Sequence, residues 1–197
     1  MPVWPGDTPT NVQFVARMET GSSVNVGSLS ASLHAGTHAD APLHYRSDSA
    51  AIDQLPLDAF LGRAYLWESI QTSPITREQL LPLEAIGIER LLVRTMQSTS
   101  QDWVDDFAYP EPDAIDFLAD IGVRLIGLDS PSFDAVDSTT LPGHNRLAER
   151  GVCNLENLDL VGLEAGRFYT LLAAPLKIVG MDAAPVRALL IDDQNFI

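Results

Sequence analysis

Short stretches in which apolar residues alternate with small or polar ones recur along the chain, a pattern typical of half-buried β-strands. In residues 22–33, for example, Val24, Val26 and Leu29 stand among small polar residues. Further strands are predicted at residues 63–68, 89–95, 123–128 and 186–191. The apolar stretch at residues 167–179 is long enough to hold one strand or a strand pair.

Helical spacing appears in three places. Residues 76–81 form a short helix behind a polar cap, and residues 112–121 place Ala114, Ile115 and Leu118 on one face before Gly122. A third helix is predicted at residues 141–150, ended by Gly151. Helices alternate with strands but are outnumbered by them. We therefore predict an α/β fold around a mixed sheet, with residues 1–197 as a single domain.

Charge and composition exclude several classes of function. The chain has 12 basic and 27 acidic residues, a net charge of −15, which argues against nucleic acid and anionic membranes as partners. It has no apolar run of about 18 residues and no signal-peptide pattern, so we expect no membrane span and a cytoplasmic location. The single cysteine, Cys153, cannot form an internal disulfide, which suits a reducing compartment.

Three of the four histidines, His34, His38 and His44, lie close together with Asp40 among them. Imidazole nitrogen and carboxylate oxygen together are ligands for zinc, manganese or iron, and the lack of thiolates argues against a closed structural zinc site. All four side chains lie at even offsets, so a straight strand would point them to one face. Ten extended residues span roughly 33 Å, however, too far for ligands of one metal centre.

The chain must therefore bend within this stretch, and Gly36 and Pro42 are suited to let it bend. A helix carrying the His34–His38 pair at i, i+4 is the alternative, but the intervening Gly-Thr favours a turn. Elsewhere, His144 lies early in the helix predicted at residues 141–150, and Glu156 follows that helix. Helix rise and extended-chain length allow these two side chains to meet without requiring it.

The stretch from His34 to His44, HAGTHADAPLH, resembles the HxGTHxDxPxH signature of the cyclase-like metal-dependent hydrolases. Similar motifs follow the same order through essentially the whole chain. They are Val-Trp4-Pro-Gly-Asp, Ile126-Gly-Leu-Asp-Ser-Pro-Ser, Asp137-Ser-Thr-Thr-Leu-Pro-Gly-His144, Leu155-Glu156-Asn-Leu and Ala174-Pro-Leu. The tryptophan motif and the Asp-Ser-Thr-Thr-Leu stretch favour the kynurenine formamidase branch of the family.

The resemblance implies an α/β domain with a mixed, barrel-like sheet and peripheral helices, assembled as a homodimer. It also implies two divalent metal ions per subunit, zinc first and manganese as the alternative. His34, His38 and Asp40 would bind the first ion, and Asp40 would reach the second. His144 would bind the second ion, and Glu156 would bridge both.

His44 would stay off the metals as general acid and base, a task that suits an imidazole with an ordinary pKa near 6.5. Trp4 would line the substrate pocket, although a tryptophan at a subunit contact is the alternative. Family members usually carry a further strand before the tryptophan motif. Trp4 lies only three residues after the first residue of this sequence, and so short a segment is expected to be poorly ordered.

The implied reaction is hydrolysis of a small-molecule amide, N-formyl-L-kynurenine, to L-kynurenine and formate in tryptophan degradation. The main alternative is a hydrolase of the same family acting on isatin-like cyclic amides, esters or lactones. A non-catalytic metal-binding protein is the third interpretation, which the spare base His44 argues against. The Gly-x-Ser-x-Gly elbow of serine hydrolases is not found in the sequence, and Cys153 is expected to be packed rather than nucleophilic.

Overall fold

The computed structural model describes residues 3–69, 74–95, 103 and 105–192. The strands are β1 (Asn11–Ala16), β2 (Val26–Ser30), β3 (His38–Asp40), β4 (Leu61–Glu68), β5 (Arg90–Arg94), β6 (Leu125–Leu128), β7 (Cys153–Leu155), β8 (Arg167–Leu172), β9 (Ala183–Pro185) and β10 (Leu189–Ile191). The α-helices are α1 (Arg77–Leu80), α2 (Pro112–Asp120) and α3 (Pro142–Arg150). Short 3-10 helices lie at Met18–Thr20, Pro42–His44, Ile52–Gln54, Leu57–Ala59 and Leu81–Ile86.

Six strands form a mixed sheet in the order β10-β8-β4-β5-β6-β7. Strands β4 to β7 are parallel, whereas β8 and β10 run antiparallel to their neighbours. Beyond β7, a bridge between Glu156 and His38 joins the sheet to β3, which pairs with β9. The row of strands therefore continues past β7 to the histidine stretch.

The two faces of this sheet have separate cores. One apolar cluster takes side chains from strands at both ends of the row, including Leu171 of β8 and Ala184 of β9, as expected when a sheet curls into a barrel-like form. The second cluster fills the space between β5, β6 and the helices, with Leu91, Ile126 and Leu118 among its members. The predicted α/β fold around a mixed, barrel-like sheet is confirmed.

Most of the predicted elements in the middle of the chain are confirmed, with small shifts at their ends. The strands predicted at residues 63–68, 89–95 and 123–128 are β4, β5 and β6. The helices predicted at residues 76–81, 112–121 and 141–150 are α1 with the 3-10 turn after it, α2 and α3. None of the helices within the described residues is long and apolar enough to cross a lipid bilayer.

Two predicted strands were wrong in extent, and the apolar stretch at residues 167–179 holds one strand rather than a pair. Residues 22–33 contain only the shorter β2, whose partner β1 was not predicted. Strand β8 ends at Leu172, and the chain continues as a loop because Pro175 lacks an N–H donor and Gly180 has a φ of +74°. The strand predicted at residues 186–191 is confirmed only for β10, and β9 lies just before it.

Candidate metal and active site

The histidine stretch bends as its spacing requires. Gly36 has a φ of +69°, His38–Asp40 forms strand β3, and Pro42–His44 is a 3-10 helix that turns the chain again. His38 and Glu156 exchange both backbone hydrogen bonds, with N···O distances of 3.3 and 3.0 Å. This pairing brings segments that are distant in sequence side by side, and β3 points His38 and Asp40 to the same face.

Four buried side chains converge at this point: His38, Asp40, His144 and Glu156, which we call the inner site. The His38 Nε2 atom lies 3.2 Å from an Asp40 oxygen and 3.3 Å from a Glu156 oxygen. The His144 Nε2 atom lies 3.3 Å from the other Glu156 oxygen and 3.5 Å from the other Asp40 oxygen. Each carboxylate therefore faces both imidazoles.

The hydrogen-bond partners of the two Nδ1 atoms show where each imidazole of the inner site carries its hydrogen. His38 Nδ1 lies 2.8 Å from the carbonyl oxygen of Gly36, and His144 Nδ1 lies 2.6 Å from the Asp134 carboxylate. Neither oxygen has a hydrogen to donate, so both Nδ1 atoms must be the donors. In a neutral ring each Nε2 then presents a lone pair to the carboxylates.

This arrangement fits a bound cation. His38 Nε2, Asp40 Oδ1 and Glu156 Oε1 are buried and have no hydrogen-bond partner. Unpartnered buried polar atoms are costly, and lone pairs aimed at carboxylates repel. A positive charge among them removes both penalties, and the imidazole and carboxylate donors suit a divalent transition metal.

The electrostatics of the inner site agree with that fit. Burial opposes the charged form of His38, but Asp40 and Glu156 outweigh burial and raise the pKa of His38 to about 10. Burial also acts on Asp40, yet the surrounding histidines hold the pKa of Asp40 well below its usual range. The negative potential that favours a proton on His38 Nε2 would equally favour a metal ion in place of that proton.

Beside the inner site, His34, His44 and Asp182 form a second group that is open to solvent, the outer site. His34 Nδ1 lies 3.0 Å from an Asp40 oxygen, and its Nε2 lies 3.0 Å from Asp182 Oδ2. The same Asp182 oxygen lies 3.4 Å from His44 Nδ1, and the two imidazole rings are 4.1 Å apart. Burial lowers the pKa of His44, which favours a neutral imidazole able to accept a proton.

Both groups open into a cavity of about 600 Å³. Trp4, Trp103, Val136 and Leu141 also contribute to its lining. The Trp4 indole packs edge-on against Trp103, with ring centroids 4.8 Å apart. The cavity therefore combines polar and ionisable groups with aromatic and apolar surface, an arrangement typical of small-molecule sites.

Most of the site residues expected from the sequence line this cavity, namely Trp4, His34, His38, His44, His144 and Glu156. Asp40 lies beside it, in contact with three of these histidines. Ligand-type atoms fall into three groups: His34, His38 and Asp40; Asp40, His144 and Glu156; and His34, His44 and Asp182. Cys153, in contrast, is buried on β7, and burial raises the pKa of its thiol to about 11, which disfavours a thiolate nucleophile.

Three contributing residues were missed in the sequence. Asn154 donates a 2.8 Å hydrogen bond to Asp40, and its i, i+2 relation to Glu156 on an extended segment could have revealed it. Asp134 accepts hydrogen bonds from the backbone N–H groups of Gly143 and His144. Neither Asp134 nor Asp182 has a spacing to the histidines that distinguishes it from the other acidic residues.

Comparison with known proteins assigns the family. The Cyclase family model matches residues 1–135. A kynurenine formamidase from Salinibacter ruber is 48% identical over 194 residues, covering 96% of this chain and 91% of the relative. This relative agrees with the formamidase branch indicated by the sequence motifs.

Two solved structures share the fold. A predicted metal-dependent hydrolase from Bacillus stearothermophilus has a TM-score of 0.80 at 30% identity, covering 96% of this chain and 91% of that one. Isatin hydrolase A from Labrenzia aggregata, bound to benzyl benzoate, has a TM-score of 0.79 at 26% identity, covering 92% of this chain and 82% of that one. The chain belongs to the cyclase-like family of metal-dependent hydrolases.

Proposed function

We propose that this chain is an arylformamidase that hydrolyses N-formyl-L-kynurenine to L-kynurenine and formate. The observation that carries the proposal is the inner site, where two imidazoles and two carboxylates converge with three unpartnered buried atoms. The similarity to a kynurenine formamidase along nearly the whole chain supports this substrate.

The proposed ligands form two sets that share carboxylates. His34, His38 and Asp40 would hold one divalent ion, and Asp40, His144 and Glu156 would hold a second. Glu156 would serve both sets, because one of its oxygens faces His38 and the other faces His144. Zn²⁺ is the proposed metal and Mn²⁺ the alternative, since both accept mixed nitrogen and oxygen ligands. Such ions lower the pKa of water to about 7 and polarise a carbonyl oxygen.

His44 is the proposed general base and acid. It lies on the cavity wall and is neutral at physiological pH because burial lowers its pKa. It takes a proton from the water that attacks the formyl carbon, and a tetrahedral species forms on the substrate. His44 then returns the proton to the aniline nitrogen as the carbon–nitrogen bond breaks, which releases the free amine and formic acid, and the acid loses its proton to solvent to give formate.

The two tryptophans that line the cavity, Trp4 and Trp103, are the proposed binding surface for the aromatic ring of the substrate. Trp4 and Trp103 pack together in the lining of the cavity. An aryl ring placed there gains aromatic contact area while its formamide group reaches towards His44. Trp4 is thus proposed as a substrate-binding residue.

A second candidate is hydrolysis of a cyclic amide of the isatin type. The similarity to the isatin hydrolase fold favours it. The metal ligands and His44 would keep their roles, and only the cavity lining would distinguish the two substrates.

The test of the proposal is a substrate panel run on purified protein of known metal content. N-formylkynurenine, isatin and simple esters are compared by kcat/KM, and bound metal is measured by elemental analysis. We expect two metal ions per chain and the highest kcat/KM for N-formylkynurenine. Faster hydrolysis of isatin would transfer the assignment to the second candidate, and metal without any turnover would support a non-catalytic protein.

An exposed apolar surface on the β1–β2 hairpin supports a homodimer, the assembly that the family resemblance implies. The β1–β2 hairpin presents Val12, Phe14 and Leu29 on one face, and these residues are 73%, 51% and 69% exposed. A two-stranded hairpin is marginal in water by itself, so burying this face against a second copy would stabilise it. We therefore propose a homodimer of single-domain chains in the cytoplasm, which sedimentation of wild type and Phe14→Ser would test.

A further inference from the structure

We propose that Asp182 is a positioning residue that fixes the hydrogen positions of His34 and His44 together. The inference rests on the proposed function and deepens it. It explains how His34 can offer a free nitrogen to a metal beside Asp40 while His44 offers a free nitrogen as the base. It rests on a single carboxylate oxygen that lies within 3.0 Å of His34 Nε2 and 3.4 Å of His44 Nδ1.

The chemistry of a carboxylate fixes the direction of both contacts. Ionised Asp182 can only accept hydrogen bonds, so the nitrogen that faces it must carry the hydrogen in each ring. A neutral imidazole carries one hydrogen, and its other nitrogen is then a lone pair. Neutral His34, the form that can bind a metal, therefore has its lone pair on Nδ1, the atom 3.0 Å from Asp40, and neutral His44 has its lone pair on Nε2.

These two lone pairs are the ones that the proposed chemistry uses. Nδ1 of His34 is the ligand atom, and Nε2 of His44 is the atom that accepts and returns a proton. Hydrogen bonds from outer acceptors to metal-binding histidines commonly set the tautomer and raise ligand basicity. Asp182 would do this for His34 as Gly36 and Asp134 do for His38 and His144.

The backbone around Asp182 holds the carboxylate in place. The carbonyl oxygen of Asp182 accepts a 2.8 Å hydrogen bond from the N–H of Ala41, directly after β3. The preceding carbonyl, of Met181, accepts from the N–H of Ile52 at 2.9 Å. On the same loop, the N–H of Gly180 donates to Asp53 at 2.9 Å. The position of Asp182 is therefore set by contacts that do not involve the histidines.

A competing role for the same atoms is direct ligation. One ligand atom each from His34, His44 and Asp182 lie within 4.8 Å of one another, so the group could hold a cation of its own. That role would place a metal on His44 and add to the metal count. Positioning and ligation thus predict different results in the same experiment.

The direct test is the ring ¹⁵N spectrum of histidine-labelled, Zn²⁺-loaded protein, in which four histidines give four spin systems. In wild type we expect His44 with hydrogen on Nδ1 and an unprotonated, metal-free Nε2. Asp182→Ala should shift His44 to a mixture of tautomers, and Asp182→Asn should give an intermediate result. Unchanged His44 signals in Asp182→Ala, or a metal-bound His44 in wild type, would overturn the proposal.

Two further measurements separate positioning from loop damage. Asp182→Ala should weaken Zn²⁺ binding in chelator competition and lower kcat, each by about 10–100-fold, with KM changed less than about threefold. Asp53→Ala removes the contact at Gly180 but keeps the two backbone hydrogen bonds at Met181 and Asp182. It is the matched control and should leave His44 signals and metal affinity near wild type. An equal loss in both variants would show that loop structure alone is responsible, and the proposal would fail.

These readouts remain informative if the substrate has been assigned wrongly. The nuclear magnetic resonance and chelator measurements need no substrate, so they test Asp182 even when N-formylkynurenine is not hydrolysed. Failure of wild type to hydrolyse any amide would refute the proposed function alone. Normal wild-type turnover with unchanged His44 tautomers in Asp182→Ala would refute the positioning role alone.

Discussion

The inner and outer sites use the same residue types in different surroundings. At the inner site the Asp40 side chain is 1% exposed, whereas at the outer site those of His44 and Asp182 are 35% and 40% exposed. Buried carboxylates are stable only when paired or bound to metal, while a partly exposed imidazole can exchange protons with solvent and substrate. The inner site is therefore suited to hold cations, and the more exposed His44–Asp182 pair is suited to move protons. His34 belongs to the outer site but also faces Asp40, so it links the two.

Asp40→Ala should have the largest effect, because Asp40 contacts the histidines of both proposed metal sets. We expect bound metal to fall towards zero and kcat/KM to fall at least about 10³-fold. Elemental analysis and hydrolysis of the best substrate measure these effects, with the exposed Glu84→Ala as control. Two bound ions and normal turnover in Asp40→Ala would show that Asp40 is not a metal ligand, and the inner site would then not differ from the outer site in holding metal.

His44→Ala should separate the two sites most clearly. We expect both metal ions to remain, since His44 belongs to neither proposed ligand set and its hydrogen-bond partner is Asp182, and we expect kcat to fall about 10²–10⁴-fold. Metal content and kcat are measured on the same preparation. Loss of metal in proportion to activity would instead make His44 a ligand.

Asp134→Asn should weaken the inner site without touching the outer one. Its carboxylate accepts from His144 Nδ1 and from two backbone N–H groups, and an amide cannot satisfy all of them. We expect metal affinity to fall about 10–100-fold in chelator competition. The control is Asp116→Asn, which removes ion pairs to Arg146 and Arg150 of α3, the helix that carries His144. This variant should keep wild-type affinity.

Cys153→Ala should have the smallest effect on activity. Cys153 packs in the core, whereas the adjacent Asn154 faces Asp40, because neighbouring strand residues point to opposite sides. We expect kcat within about twofold of wild type and a loss of about 1–2 kcal/mol of stability in thermal unfolding. A large loss of kcat with metal retained would identify the thiol as a nucleophile.

The sequence predicts those features that local pattern determines. Helices α2 and α3 and strands β4 to β6 follow from spacing within each segment, as does the bend at Gly36. Strand β1 and the pairing of β3 with β9 depend on distant partners, and no periodicity within the segments reveals them. Strand β5 (Arg90–Arg94) was predicted because its own sequence contains a run of apolar residues. Strand β9 (Ala183–Pro185) was not predicted, because it is a strand only through its pairing with β3.

The candidate site shows the same limit. Histidines are rare in this chain, so three within one stretch stand out. Acidic residues number 27, so the sequence does not show that Asp134 and Asp182, rather than any others, face the histidines. Only the fold selects them, because their contacts join segments that are distant in sequence.

Anomalous diffraction from Zn²⁺-loaded crystals at the zinc edge tests the inner site most directly. We predict two peaks about 3.5–4 Å apart, with Asp40 and Glu156 between them, His34 and His38 beside one peak and His144 beside the other. We also predict that His44 and Asp182 lie outside coordination distance of both peaks. A map without a peak among His38, Asp40, His144 and Glu156 would contradict the assignment of these residues as a metal centre.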